Sequence, residues 1–281
     1  MNKRIIYRFC ILSLVWLLFA TAQPSLAQSQ DEWATKAYAY VEQDSLAQAE
    51  ACFKQAVEAA PLSKQSAMLL SNLGAVQRRR GKMREAIESY TSALERAPLT
   101  VTILMDRATA YMALGNDDKA YTDLCNVLDK KTDHVEALYY RAFIYTHRRE
   151  YAAARTDYKR LLTLDPTHEN GLFGLALLDQ REGRLQAAEQ QLSQLVDRYP
   201  NNATYWHARA NVLIEQELCD LALLDLETAI ILQPADAELY VARAELYLKM
   251  KRKSAAKLDL DCAVTLGIPR SALSELYKQC D

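Results

Sequence analysis

Residues 67–100 read AMLLSNLGAVQRRRGKMREAIESYTSALERAPLT, and their pattern decides the fold. Leu70, Leu73, Gly74 and Gln77 fall at helical spacing on one face of a first segment, and Ala86, Tyr90 and Ala93 do the same in a second. Gly81 lies between the segments, where a left-handed backbone costs glycine little, and Pro98 ends the second. The stretch is a helical hairpin.

The hairpin recurs. Pro61, Pro98, Pro166, Pro200 and Pro234 are separated by 37, 68, 34 and 34 residues, so the underlying period is 34. On that period the chain divides into repeats at 30–63, 67–100, 101–134, 135–168, 169–202, 203–236 and 237–270, with three residues left over between the first two. Position 8 is Ala37, Gly74, Ala108, Ala142, Ala176, Ala210 and Ala244; position 20 is Ala49, Ala86, Ala120, Ala154, Ala188, Ala222 and Ala256. Residues with no side chain beyond Cβ at two fixed places mean that two helices approach closely there, because a larger residue would overpack the contact. Seven Gly and seven Pro in 281 residues suit a chain of helices. An all-α fold is expected.

The pattern resembles the tetratricopeptide repeat family, whose unit favours Trp or Leu, Leu, Gly or Ala and Tyr in its first helix and Ala, an aromatic, Ala and Pro in its second. Residues 67–100 match with Leu70, Leu73, Gly74, Ala86, Tyr90, Ala93 and Pro98, and the first repeat matches with Trp33, Ala37, Tyr40, Ala49, Phe53, Ala56 and Pro61. The resemblance covers residues 30–270. It implies a right-handed superhelical solenoid of antiparallel helix hairpins whose inner groove is lined by the first helices at positions 2, 5, 9 and 12. Residues 271–281 are expected to add a capping helix, with Ala272, Leu273, Leu276, Tyr277 and Cys280 as its apolar face, because the last repeat would otherwise expose its stacking surface.

A charge correlation runs through the repeats. Arg107, Arg141, Arg209 and Arg243 occupy position 7 of four repeats, and the same four carry Asp123, Asp157, Asp225 and Asp259 at position 23. The other three carry neither partner: Lys36, Leu73 and Leu175 face Cys52, Ser89 and Gln191. An ion pair between the two helices of each hairpin is expected, and it leaves these arginines neutralised instead of free for a ligand.

Residues 1–27 stand apart from the repeats. Lys3, Arg4 and Arg8 precede an apolar run from Phe9 to Ala22, and Ser25-Leu26-Ala27 supplies small residues for a signal peptidase. We expect a signal peptide cleaved after Ala27, an exported protein in the periplasm or secreted, and no stable membrane insertion afterwards. Fourteen apolar residues reach only about two thirds of the way across a roughly 30 Å hydrocarbon layer. Cleavage removes three basic residues and no acid, leaving 31 against 36 and a net charge of −5. Such a surface disfavours nucleic acid and anionic lipid.

A search for chemistry finds none of the usual arrangements. His134, His147, His168 and His207 lack the spacing of a zinc hydrolase, and there is no Cys-x-x-Cys pair, Gly-rich phosphate loop or Gly-x-Ser-x-Gly elbow. No enzyme activity, cofactor, metal or small-molecule substrate is expected. The basic clusters Arg78-Arg79-Arg80 and Lys249 to Lys253 sit at the end of a first helix and the turn after it, a solvated edge with no interleaved aromatics. Of the cysteines beyond residue 27, Cys262 and Cys280 are the one plausible bridged pair.

Position 5 reads Ala34, Ser71, Met105, Tyr139, Phe173, His207 and Val241, with no Lys or Arg. Family members that bind chaperones hold a terminal carboxylate with basic residues there, so that activity is not expected. Tyr139 with Phe143 and Phe173 with Leu177 put apolar pairs at positions 5 and 9 of the fourth and fifth repeats. Met105 and Met112 extend the patch from the third repeat, and His207 with Asn211 closes it from the sixth. These eight residues are the expected site for an apolar helix or extended peptide. The leading function is a scaffold or adaptor of the cell envelope that binds a segment of a partner protein. A holder of exported unfolded chains and a spacer with an empty groove are the alternatives.

Overall fold

The computed structural model describes residues 23–280, with side chains from residue 29. Residues 1–22, and with them most of the expected signal peptide, lie outside the described residues; the cleavage position after Ala27 falls within the first described helix. The described residues form helices with no strand among them. No helix among them is long and apolar enough to cross a membrane.

Each repeat is a pair of antiparallel helices, A and B. The A helices are α1 (Gln23–Glu42), α3 (Ser66–Arg79), α5 (Val101–Ala113), α7 (Val135–His147), α9 (Glu169–Arg181), α11 (Ala203–Glu215) and α13 (Ala237–Lys249). The B helices are α2 (Leu46–Ala59), α4 (Met83–Arg96), α6 (Asp117–Lys130), α8 (Tyr151–Leu164), α10 (Leu185–Arg198), α12 (Cys219–Leu232) and α14 (Lys253–Thr265). From the third repeat on, every A helix covers positions 1–13. A short α15 (Ser274–Cys280) follows.

Burial follows the repeat. Every alanine at positions 8 and 20 is completely buried. So are the residues at position 27, from Ala56 and Ala93 to Ala229 and Ala263. Where position 24 carries a tyrosine, a glycine opposes it. A Cβ on Gly74 would stand 2.7 Å from Tyr90 Cε1, and one on Gly174 would stand 2.6 Å from Tyr158 Cζ. The ring fills the space that a side chain would need.

The turn between A and B places a residue with positive φ at position 15 of all seven repeats. Gly81, Gly115 and Gly183 do so as expected, and Asp44, Arg149, Glu217 and Lys251 adopt the same conformation with φ between 55° and 66°. The turn between B and the next A is closed by position 34. The side chains of Asn202 and Asp236 accept from the backbone N–H groups of Thr204 and Glu238. His134 and His168 cap in the same way through Nδ1, which accepts from Ala137 N at 3.3 Å and Gly171 N at 3.0 Å. Two of the four histidines are therefore helix caps.

The chain falls into two compact units that meet between Ala137 and Leu138. In the first, Phe53, Leu69, Leu73 and Val76 pack with Ala37, Ala49 and Ala56, and Gln30 Nε2 donates to the Ala56 and Ala60 carbonyls at 3.1 Å, fastening α1 to the end of α2. In the second, Leu192, Leu195, Tyr205 and Val212 form one cluster and Leu213, Leu226 and Leu246 another. Leu273, Leu276, Tyr277 and Cys280 close the last cluster against Leu260 and Ala263, so α15 covers the end of the seventh repeat. Cys262 and Cys280 are free thiols. The one plausible bridge is not formed: Cys262 is exposed, and Cys280 Sγ donates to Leu276 O within its own helix.

Candidate functional site

The four arginines at position 7 are committed to structure. Arg107, Arg141, Arg209 and Arg243 each grip the aspartate at position 23 with Nε and Nη2, at 2.7 to 2.9 Å. The aspartates are 2 to 5% exposed. Hydrogen bonding to the carboxylate raises the affinity of Arg107, Arg209 and Arg243 for their protons, outweighing burial. Bidentate geometry of this kind fixes one helix on the other.

Repeats that lack the pair join their helices differently. In the second, Ser89 Oγ donates to Gln77 Oε1 at 2.7 Å; in the fifth, Gln191 Nε2 donates to Asp179 Oδ2 at 3.0 Å. Both links run between positions 23 and 11. Asp179 is buried and also meets Arg155 and Arg184, while Glu182 pairs with the same two arginines.

The basic cluster 78–80 is also neutralised. Arg79 meets Asp44 at 2.7 Å, Arg80 and Lys82 meet the buried Glu50, and Arg78 lies 3.8 Å from Asp106. Burial alone would raise the Glu50 carboxyl, but hydrogen bonds and charge from Lys54 and Lys82 bring it down to about 2.

The eight residues expected to bind a partner are all half-buried, and all lie on A helices. Met105 and Met112 belong to the first unit, on α5. In the second unit Tyr139 and Phe143 lie on α7, Phe173 and Leu177 on α9, and His207 and Asn211 on α11. The position 5 rings turn partly inward. Tyr139 packs on the cluster of Ala142, Ala154 and Tyr158 and lies 5.7 Å from the His168 ring; Phe173 packs on Leu172 and Leu192 and lies 5.1 Å from the Tyr205 ring. Phe143 meets His147, ring to ring at 4.1 Å. Burial depresses the His207 pKa against the opposing charges of Asp236 and Glu238, and it raises that of Tyr139. Asn211 borders a cleft of about 390 Å³ together with Gln180, Ile214, Glu215 and Lys249. Its polar rim is already knit, with Gln180 Nε2 donating to Glu215 at 2.6 Å and Lys249 Nζ to Ile214 O at 2.7 Å.

Comparison with known proteins now decides the family. Models of the tetratricopeptide repeat match residues 16–98, 71–133 and 145–212. The crystal structure of a tetratricopeptide repeat protein from Parabacteroides merdae is 32% identical to this chain, covers 90% of it with 99% of its own length, and superposes with a TM-score of 0.70. The chain belongs to the tetratricopeptide repeat family. Two more distant solved structures share the fold of this tetratricopeptide repeat protein. PilF of Pseudomonas aeruginosa is 18% identical over 79% of this chain and 99% of its own, with a TM-score of 0.64. YrrB, described as having an unusual peptide-binding site, is 19% identical over 66% of this chain and 94% of its own, with a TM-score of 0.56. A search of curated proteins returns no match. Tetratricopeptide repeats are protein-interaction modules and are generally non-catalytic.

Proposed function

We propose that this tetratricopeptide repeat protein is exported and serves the cell envelope as a scaffold, holding a peptide or helical segment of a partner protein on the A-helix residues. The observation that carries the reading is the run of half-buried apolar side chains at positions 5 and 9: Tyr139, Phe143, Phe173 and Leu177, with no cation at position 5. Apolar surface of this kind on a monomer marks a partner site. A peptide-binding site in YrrB, which has the same fold, is in keeping with it. His207 on α11, whose burial disfavours its charged form, supplies a polar contact.

The two apolar positions serve differently as probes. Tyr139 and Phe173 press on core clusters, so their loss would also loosen the fold, whereas Phe143 and Leu177 at position 9 are not among the side chains packed on those two clusters. The test is photo-crosslinking in the envelope from position 143 or 177, with position 164 on a B helix as the control. Adducts with one or a few proteins from 143 and 177 and none from 164 support the scaffold. Weak adducts with many proteins would make it a holder of unfolded chains, and none would make it a spacer. Export is tested on the same material, where N-terminal sequencing should begin at Gln28.

A further inference from the structure

The seven repeats provide an internal standard for what a solvated B helix looks like, and the sixth repeat departs from it. Position 29 is Glu58, Glu95, Asp129, Thr163, Asp197 and Thr265 in the other six repeats, but Ile231 in the sixth. Position 19 is Gln, Glu, Lys or Ala elsewhere and Leu221 here; position 22 is Ala, Glu, Thr or Gln in five repeats and Leu224 here. None of these leucines and isoleucines is core. Leu221 is 50% exposed, Leu224 59% and Ile231 78%. The inner face of α12 is meanwhile occupied, with Ala222, Leu226 and Ala229 completely buried and Asp225 held by Arg209. The outer side carries these exposed apolar residues in addition, and it has no partner in the second unit.

Leu221, Leu224, Thr228 and Ile231 follow one another at intervals of three, four and three residues, the spacing of a helix seam that receives a second helix. Thr228 does not interrupt it, since its hydroxyl donates to Leu224 O at 2.9 Å. The seam spans eleven residues, about 15 Å. Beside it runs a groove of about 410 Å³ whose floor is Trp206, Arg209 and Leu213 of α11 and whose walls are Glu189 of α10 and Leu221, Leu224 and Thr228 of α12.

Charge narrows the occupant. Glu189 lines the groove, and it and Asp197, both on α10, are near enough to Arg209 to raise its pKa; on α12, Asp220 lies 3.9 Å from Arg252 and Glu227 acts on Arg243, both toward the next repeat. The cation in the groove, Arg209, is held by Asp225 and Ser193. A second copy laid on the same surface would bring an identical acidic border, Glu189 and Asp197, to the contact, which opposes self-association. Arg252 and Arg243 answer the α12 acids, so the acidic border of the groove is its α10 side, with Glu189 and Asp197. We propose that this groove docks an amphipathic helix of another protein, apolar on one face and flanked by Lys or Arg, on a surface separate from the A-helix site.

The probe is a synthetic helix of eighteen residues with leucines at seam spacing flanked by lysines, compared with the same peptide carrying glutamates in place of the lysines. Fluorescence anisotropy with the full-length protein should show binding of the lysine peptide that weakens as salt rises, and at least tenfold weaker binding of the glutamate peptide. The triple variant Leu221→Ala, Leu224→Gln, Ile231→Thr installs residues that other repeats carry at these exposed places, so it keeps the fold; it should lower affinity at least tenfold. Phe143→Ser with Leu177→Ser, which removes the A-helix site, should leave this binding unchanged. Equal binding of both peptides, or binding indifferent to the triple variant, overturns the proposal. So does sedimentation showing a dimer that the triple variant dissolves, because the occupant would then be a second copy.

Discussion

At the scale of single residues, charge holds the hairpins together, and its removal is asymmetric. Asp225→Ala would strip the Arg209 guanidinium of its bidentate partner between two packed helices and leave it the Ser193 hydroxyl and the more distant charges of Asp197 and Glu189. A loss of about 3 kcal/mol is expected in urea denaturation, because the remaining charge stays buried. Arg209→Leu combined with Asp225→Ser copies the second repeat, which has Leu73 and Ser89 at these positions, and should recover most of that loss. Glu50 makes a pH-dependent contribution. Its carboxyl titrates lower in the folded chain, at about 2 against 4.5, so the folded state binds fewer protons than the unfolded one. The stabilisation is complete above pH 4.5 and disappears as pH falls toward 2. Allowing for the exposed ends of Lys54 and Lys82, the effect is on the order of 2 kcal/mol. Acid titration of the folded state should be less steep over that interval in Glu50→Gln.

At the scale of elements, the A–B turn needs a left-handed residue whatever its identity. Four repeats meet the requirement with a residue other than glycine, each at a steric cost of roughly 1 kcal/mol. Glu217→Gly should therefore raise stability by about 0.5 kcal/mol, part of the relief being offset by the greater freedom of glycine in the unfolded chain. Gly183→Ala should lower it by about 1 kcal/mol, though nothing crowds a Cβ there. Thermal melts of the two variants should move in opposite directions. Between neighbouring repeats, position 21 meets position 14 of the next with interchangeable chemistry. Glu50 pairs with Arg80, Arg155 pairs with Glu182 in reversed polarity, Gln216 donates to Glu189 at 3.0 Å, and Leu223 and Met250 join one apolar cluster.

At the scale of the whole molecule, each repeat is stabilised by its neighbours, so damage at one end stays local. A chain lacking residues 271–281 would lose Leu273, Leu276 and Tyr277 from the cluster around Leu260 and Ala263. Hydrogen exchange should then quicken in α13 and α14 while the amides of α4 keep their protection. Uniform loss of protection along the chain would mean that the repeats unfold as one unit.

The period, the small residues at positions 8 and 20 and the Arg–Asp pairs were all legible in the amino-acid sequence, because each depends on residues within one hairpin, repeated along the chain. The caps at position 34 carried a readable signal too, in Asn202 and Asp236, but His134 and His168 disguised it, since an imidazole Nδ1 is seldom considered a cap acceptor. Other features depend on what lies across an interface. Tyr139 and Phe173 share a periodic stripe with Phe143 and Leu177, and only packing places those two rings against their core clusters. Leu221, Leu224 and Ile231 look like core by composition, yet the inner face of α12 is already filled by Leu226 and Ala229. A helix has one side toward its neighbours, and tertiary structure alone assigns which leucines occupy it.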